Sequence, residues 1–322
     1  MGDYGVSTRI LAEFMGSHLS YTTVKGEEGI PIAASGQLDP RELGELYRFR
    51  EITQNTKLFA VTGFPLQNAA SPLFFNTAFG IENEDAVYIP VPSDSILSFL
   101  KFSEELGIRG ASITVPHKEN VLQYLSSRSE SVASIGACNT IVVGPRGWHG
   151  YNTDAPGFSD SILGFMKLKD LRGKKIAIIG AGGIARSVAS EVHRLKGKAI
   201  ILNRTVDKAR DIALPYNFAW GGLDSQGIKM MDKYTDIIIQ STSVGMDPNI
   251  EDDPLRFYKF GGHETVIDLV YKPAMTRCLQ RAGAEGCKIL NGYDMLLRQA
   301  RYQYKFFMEK EFPASLINRV GF

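Results

Sequence analysis

Lys174-Lys175-Ile176-Ala177-Ile178-Ile179-Gly180-Ala181-Gly182-Gly183-Ile184-Ala185-Arg186 is the stretch that decides the fold. An apolar strand-like run feeds directly into a glycine-rich turn. The turn opens a helical period, in which Ile184, Val188, Val192 and Leu195 recur at three- and four-residue steps on one face. Gly180-Ala181-Gly182-Gly183-Ile184-Ala185 matches the dinucleotide fingerprint with alanine at its last position. Gly180 makes the tight turn, Gly182 lets backbone approach a pyrophosphate, and Ala185 lets the helix pack close to the strand. The helix start then offers free N–H groups and its positive end to phosphates.

Working downstream, the run Ala199–Leu202 ends in Asn203-Arg204-Thr205. A site for NAD usually has Asp or Glu here, on the ribose hydroxyls. Arg204 stands in that region instead, and a guanidinium clasps a 2′-phosphate with paired hydrogen bonds. Thr205 adds a hydroxyl, and Lys208 and Arg186 strengthen the positive field. The pattern favours NADP over NAD.

Further short apolar runs lie at 58–61, 86–91, 112–115, 236–239 and 266–270, alternating with amphipathic stretches. That alternation predicts α/β architecture, with parallel sheets covered by helices on both faces. One series runs over 58–155 and another over 172–290. The expected divisions are 56–157, a dinucleotide-binding domain of Rossmann type at 158–290, and C-terminal helices at 291–322 packing back on the first domain. Ile96, Leu97, Leu100 and Leu106 mark one helix, with Asp94 its expected N-cap. The 36 basic and 35 acidic side chains leave a net charge of +1 and give no global field for nucleic acid. No apolar run reaches the roughly 20 residues of a membrane helix. The N-terminus lacks a secretory layout, so a cytoplasmic place is expected. Cys138, Cys278 and Cys287 form no CxxC and the histidines no HxxxH, so no metal site is expected.

Between 58 and 155 the chemistry emerges only when segments are read together. Thr114 and Lys118 follow a strand in Gly-Ala-Ser-Ile-Thr-Val-Pro-His-Lys-Glu; Asn139 lies in Gly-Ala-Cys-Asn-Thr; Asp154 lies in Gly-Tyr-Asn-Thr-Asp-Ala-Pro-Gly. With the fingerprint, Asn-Arg-Thr at 203–205, and the segments 241–246, 268–276 and 291–300, this set resembles the shikimate dehydrogenases over about 58–310. The resemblance implies two α/β domains with the active site in the cleft between them, and hydride transfer between NADPH and 3-dehydroshikimate. Lys118 and Asp154 would be the catalytic pair, an ammonium placed to donate or stabilise a proton beside an orienting carboxylate. Thr114, Asn139 and Gln299 would hold ring hydroxyls. Ser71 and Tyr271 would meet the carboxylate. Gly245 and Met246 would line the nicotinamide pocket, Thr242 would also contact the cofactor, and Gly292 would offer its backbone to the carboxamide. A quinate or quinate/shikimate dehydrogenase and a catalytically idle metabolite- or cofactor-binding protein are the rival readings.

One position departs from the family pattern, which places two serines one residue apart. The chain reads Gln67-Asn68-Ala69-Ala70-Ser71-Pro72, so Ser71 matches the second serine and Ala69 replaces the first. A hydrogen bond to a charged group contributes about 1.5–3 kcal/mol, so roughly ten- to a hundredfold in affinity is at stake. An amide donor from Gln67 or Asn68 is the available compensation.

The first fifty residues resemble the last two βα units of a type I 3-dehydroquinate dehydratase. Arg9 and Gln37 fall where that family places substrate-binding side chains, and Ala33-Ala34-Ser35-Gly36-Gln37 departs from its loop by losing a serine. The resemblance puts the Schiff-base lysine and catalytic histidine upstream of Met1. Two units cannot close a barrel, so dehydratase activity is not expected of this chain. The layout is that of a truncated dehydratase–dehydrogenase fusion, whose apolar N-terminal face is expected to promote association of copies.

Overall fold

Runs rich in β-branched and aromatic side chains suit a pleated, buried surface, and in a computed structural model they form two six-stranded sheets. The structure describes residues 2–24, 36–66 and 70–317. The first sheet holds β1 (Lys57–Gly63), β2 (Ala86–Pro92), β3 (Ile108–Ile113), β4 (Ser127–Arg128), β5 (Thr140–Gly144) and β6 (Gly147–Tyr151). Its order is β2-β1-β3-β5-β6-β4. β1 runs parallel to β2 and β3, whereas β5 is antiparallel to both β3 and β6. The expectation of a wholly parallel sheet therefore fails here. Gly144-Pro145-Arg146-Gly147 supplies a hairpin turn, which reverses the chain with no helical crossover.

The second sheet holds β7 (Lys175–Ile179), β8 (Lys198–Asn203), β9 (Ala219–Gly222), β10 (Ile237–Gln240), β11 (Thr265–Asp268) and β12 (Lys288–Leu290). All its pairings are parallel and its order is β12-β11-β10-β7-β8-β9. This is the doubly wound arrangement, with order reversing at β7. Ile176 and Ile178 point into one apolar layer with Val188 and Val192; Ala177 and Ile179 point into another with Leu255 and Leu279. Both faces of β7 are thus dry, as an unbroken apolar run requires.

The chain divides into two compact units. One takes the residues up to Val132, Cys138–Tyr151 and the chain from Ala300 onward; the other takes Ala133–Ala137 and Asn152–Gln299. In the first, aromatic side chains of two helices cover one sheet face. Phe75, from the helix Ser71–Ile81, stacks on Tyr88 of β2 at 4.3 Å, and Phe307 stacks on Phe59 of β1 at 5.1 Å. The opposite face of β2 carries Val87, Ile89 and Val91, the alternation that a pleated strand dictates.

That opposite face is covered in part by the N-terminal segment. Val6, Ile10, Leu11, Leu38, Leu43, Tyr47 and Ile52 are buried in one cluster with Val87, Ile89 and Val91. Arg48 donates from Nη2 to the carbonyls of Glu84 (3.2 Å) and Ala86 (2.9 Å), beside the edge strand. The described part of the segment contains short helical turns, Val6–Ile10 and Glu42–Leu46 among them, and no strand. Tyr4 stacks on Phe64 just beyond β1, with ring centroids 5.6 Å apart, and is hydrogen-bonded to Asp94. Asp94 is not the N-cap of the helix Ile96–Leu106. Ser95 is, its Oγ accepting from the Ser98 N–H at 3.3 Å. In that helix Leu97 is exposed and Phe99 takes the buried place.

Candidate active site

At the end of β7 the chain turns through Gly180 with φ +112°, a conformation L side chains rarely adopt. A Cβ there would lie 2.8 Å from Ser241 Oγ and 2.9 Å from Thr242 Cγ2, so the turn sits tight against the end of β10. Gly182 faces open space, since a Cβ at that position would meet nothing within 4 Å. Gly183 begins the helix Gly183–Arg194, and Ala185 is fully buried against the strand layer. Ala181 packs at the edge of the same layer. A crowded first glycine, an open second one and a twelve-residue helix starting at the third form a cradle that fits a pyrophosphate. At the neighbouring strand end, Asn203 Nδ2 donates to the Thr205 carbonyl at 3.0 Å and shapes the turn. Arg204, Thr205 and Lys208 are all exposed there. The residues present thus fit a dinucleotide carrying a 2′-phosphate.

The loop after β10 is held from below by a buried carboxylate. Asp268, at the end of β11, accepts from Thr276 Oγ1 (2.6 Å), the Val270 N–H (3.0 Å) and Gln240 Nε2 (3.2 Å). Gln240 in turn donates to the carbonyls of Thr242 (3.3 Å) and Val244 (3.1 Å). One network therefore shapes both the segment carrying Thr242, Gly245 and Met246 and the segment carrying Tyr271. Burial pushes the Asp268 carboxyl up to about 6, against the lowering effect of the Thr276 and Val270 hydrogen bonds. Gly292 donates its N–H to the Val270 carbonyl at 3.0 Å, and its carbonyl accepts the Leu296 N–H at 3.0 Å.

In the same unit, Asp154 is buried as the first residue of the helix Asp154–Met166. The preceding Asn152 pins this turn: its Nδ2 donates to the Ala137 carbonyl (2.9 Å) and to Ser187 Oγ (3.0 Å), and its Oδ1 accepts the Ala155 N–H (3.1 Å). Thr153 Oγ1 donates to Gln299 Oε1 at 3.3 Å. Gly157 lets Gln299 come this close, since a Cβ at Gly157 would lie 2.9 Å from the Gln299 nitrogen. Asp154 and Gln299 are thereby brought to one place.

The other unit gathers Ser71, Thr114, Lys118 and Asn139. The Thr114 N–H donates to the Thr62 carbonyl (2.9 Å), and the Ile113 N–H to the Asn139 carbonyl (2.8 Å). The Cys138 N–H donates to the Lys118 carbonyl (2.8 Å), which fixes the turn bearing Lys118 beside Asn139. His117, buried next to Lys118, donates from Nε2 to the Ser93 carbonyl at 2.7 Å, so its work is to anchor this turn. Ser71 opens its helix and is hydrogen-bonded to Tyr88. Gln67, Asn68 and Ala69 lie outside the described residues, as do Ala33, Ala34 and Ser35. Arg9 donates from Nη1 to the Gly2 carbonyl at 3.2 Å.

Sequence reasoning missed Tyr88, Ser112, Asn152, Thr153, Gln240, Asp268 and Gln303 as contributors. Gln303 carried a readable signal: it lies one helical turn after Gln299 in an otherwise apolar stripe. Tyr88 did not, because a tyrosine in a strand run reads as core.

Fold and site together define a two-domain dehydrogenase of the dinucleotide-dependent class. Family models match in register with it: a shikimate dehydrogenase substrate binding domain over residues 61–141, a shikimate/quinate 5-dehydrogenase over 163–253, and a type I 3-dehydroquinase over 1–54. The shikimate dehydrogenase (NADP(+)) of Moorella thermoacetica is 36% identical over 282 residues, 84% of this chain and 94% of its own. The chloroplastic bifunctional 3-dehydroquinate dehydratase/shikimate dehydrogenase of Arabidopsis thaliana is 31% identical over 333 residues, covering 98% of this chain. This chain spans 54% of that relative's length. A crystal structure of a shikimate dehydrogenase in complex with NADP+ superposes with a TM-score of 0.74 at 32% identity, over 83% of this chain and 95% of that one. The chain belongs to the shikimate dehydrogenase family. Among the described residues no helix is long and apolar enough to cross a membrane, and no cluster of side chains suits a metal ion.

Proposed function

We propose that this chain catalyses the NADP-dependent, reversible reduction of 3-dehydroshikimate to shikimate. The observation that carries the proposal is the phosphate cradle at Gly180–Gly183 with Arg204 exposed at the next strand end, on a chain whose other unit gathers Ser71, Thr114, Lys118 and Asn139. Bound NADPH supplies the hydride. The chain's own task is to hold the ring and manage one proton. Ser71, Thr114, Asn139 and Gln299 are neutral hydroxyl and amide groups, suited to a polyhydroxylated ring. Lys118 stabilises the alkoxide as it forms or delivers its proton, and Asp154 supplies the carboxylate of the catalytic pair. Tyr271 meets the substrate carboxylate. Arg204, Thr205 and Lys208 hold the 2′-phosphate, with Asn203 shaping their turn.

A second reading, quinate as substrate, is favoured by one feature, Ala69 in place of a serine donor. The test is NADP+ reduction with shikimate and with quinate, each repeated with NAD+. Turnover confined to shikimate and NADP+ supports the proposal. Turnover with quinate moves the assignment to the second reading, and preference for NAD+ overturns the role of Arg204. Replacing Lys118 with Ala separates enzyme from metabolite binder: turnover should fall by orders of magnitude while binding persists.

A further inference from the structure

Ser71 and Asn139 are far apart in sequence, yet a buried chain of hydrogen bonds joins them through the interior of one unit. Ser71 is hydrogen-bonded to the Tyr88 hydroxyl. Tyr88 Oη donates to Ser112 Oγ at 2.6 Å, and Ser112 Oγ donates to Gln303 Oε1 at 2.8 Å. Gln303 Nε2 donates to the Asn139 carbonyl (3.2 Å) and to Thr140 Oγ1 (3.0 Å). Thr140 Oγ1 closes the chain by donating to Asn139 Oδ1 at 2.9 Å. Ser71, Tyr88, Ser112, Asn139, Thr140 and Gln303 are all buried.

The polarity of this chain is set at Gln303. A backbone carbonyl only accepts, so the amide must turn its NH2 to Asn139 and its oxygen to Ser112. Ser112, with one proton, must then donate to Gln303, and Tyr88 must donate to Ser112. Tyr88 has no second proton, so Ser71 is the donor in their shared bond. At the other end, the proton that Thr140 gives to Asn139 Oδ1 fixes the rotation of the Asn139 amide. A flipped amide would set an NH2 against the Thr140 proton.

We infer that Gln303 is a positioning residue, which sets through Tyr88–Ser112 and through Thr140 the donor and acceptor sense of Ser71 and Asn139. The inference rests on the proposed substrate roles of Ser71 and Asn139. It assigns Gln303 no contact with substrate. Its consequence is that the site's hydroxyl and amide are ordered before a polyhydroxylated ring arrives, so little ordering entropy remains to be lost on binding.

The test is steady-state kinetics of Gln303→Met, which keeps length and loses polarity, beside Ser112→Ala, Ser71→Ala and Asn139→Ala. The expected result for Gln303→Met is a KM for shikimate raised roughly tenfold or more, the scale of losing a buried hydrogen bond. KM for NADP+ should stay unchanged and kcat should move much less. Adding Asn139→Ala to Gln303→Met should raise KM by less than the product of the two single effects. If Ser71→Ala and Asn139→Ala leave KM for shikimate unchanged, the substrate-site reading falls and this inference with it. If those two raise KM while Gln303→Met and Ser112→Ala do not, or raise both KM values alike, only the positioning role is overturned. Should Gln303→Met fail to fold, Ser112→Ala decides alone, since it cuts the Ser71 arm by removing one hydroxyl.

Discussion

Replacing Asp268 with Asn should remove a pH dependence that the fold itself creates. Asp268 is fully buried, and its carboxyl is raised from 3.8 to about 6. Burial dominates, and the nearby Asp253 adds to it, although Asp253 is itself paired with Arg281. At about 1.4 kcal/mol per pH unit, a rise of about two units corresponds to about 3 kcal/mol. The sign follows from linkage. The folded chain holds this proton more tightly than the unfolded chain, so the associated stability is fully present below about pH 3.8 and is lost as pH climbs through about 6. Asn cannot ionise, yet its oxygen can still accept from Val270 and Gln240. The wild-type chain should therefore lose about 3 kcal/mol between about pH 4 and pH 7 relative to Asp268→Asn. Urea unfolding of both proteins at several pH values in that range measures the difference directly, since the other titrating groups are common to both. A difference that stays constant across the range would refute the reasoning, because it would show that Asp268 titrates alike in the folded and unfolded chains.

Arg204→Ser should raise KM for NADP+ roughly ten- to a hundredfold, as loss of charge-assisted hydrogen bonds predicts, and leave NAD+ turnover unchanged. An equal effect on both cofactors would remove the 2′-phosphate role. Gly180→Ala should destabilise the chain by about 2 kcal/mol or more, from positive φ and the clash with Ser241 and Thr242, and weaken NADP+ binding. An unaltered urea midpoint would contradict both causes. Ile10→Ala should cost about 2–5 kcal/mol, because Ile10 is fully buried with Val87 and Ile89. A thermal midpoint equal to wild type would show that the N-terminal segment adds nothing to that core.

The dinucleotide unit was legible because its signals are local. Ile176–Ile179, Gly180, Gly182 and Ala185 are adjacent in sequence and do their work within one strand, turn and helix. The β5–β6 hairpin was less legible, since Thr140–Gly144 holds only three apolar residues in a row and Gly147–Tyr151 is broken up by His149 and Gly150. Asp94 was misjudged for a different reason. Ser95 and Asp94 are both good caps in isolation, and the choice between them turns on the helix starting at Ile96 rather than one residue earlier. Ser112 and Gln303 were not legible, because their partners come from distant segments, nor was Asp268, which in sequence is one acidic residue at a strand end. Local pattern reveals where a strand ends, and only tertiary structure reveals which buried polar groups answer one another.

The N-terminal segment makes the join between the two resemblances something other than a tether. A tether lets the parts on either side diverge freely, each answering to its own selection. Here Ile10, Leu11, Leu43 and Val87 share one interior, so a drift in the dehydratase-like stretch is felt as a change in the stability of the dehydrogenase. Arg9 donates to a backbone carbonyl within its own segment and has a structural reason to persist whatever becomes of barrel chemistry. Inheritance of this stretch is thus tied to the reductase, and a gene that lost it would have to repaint the face of β2 with polar side chains in the same step.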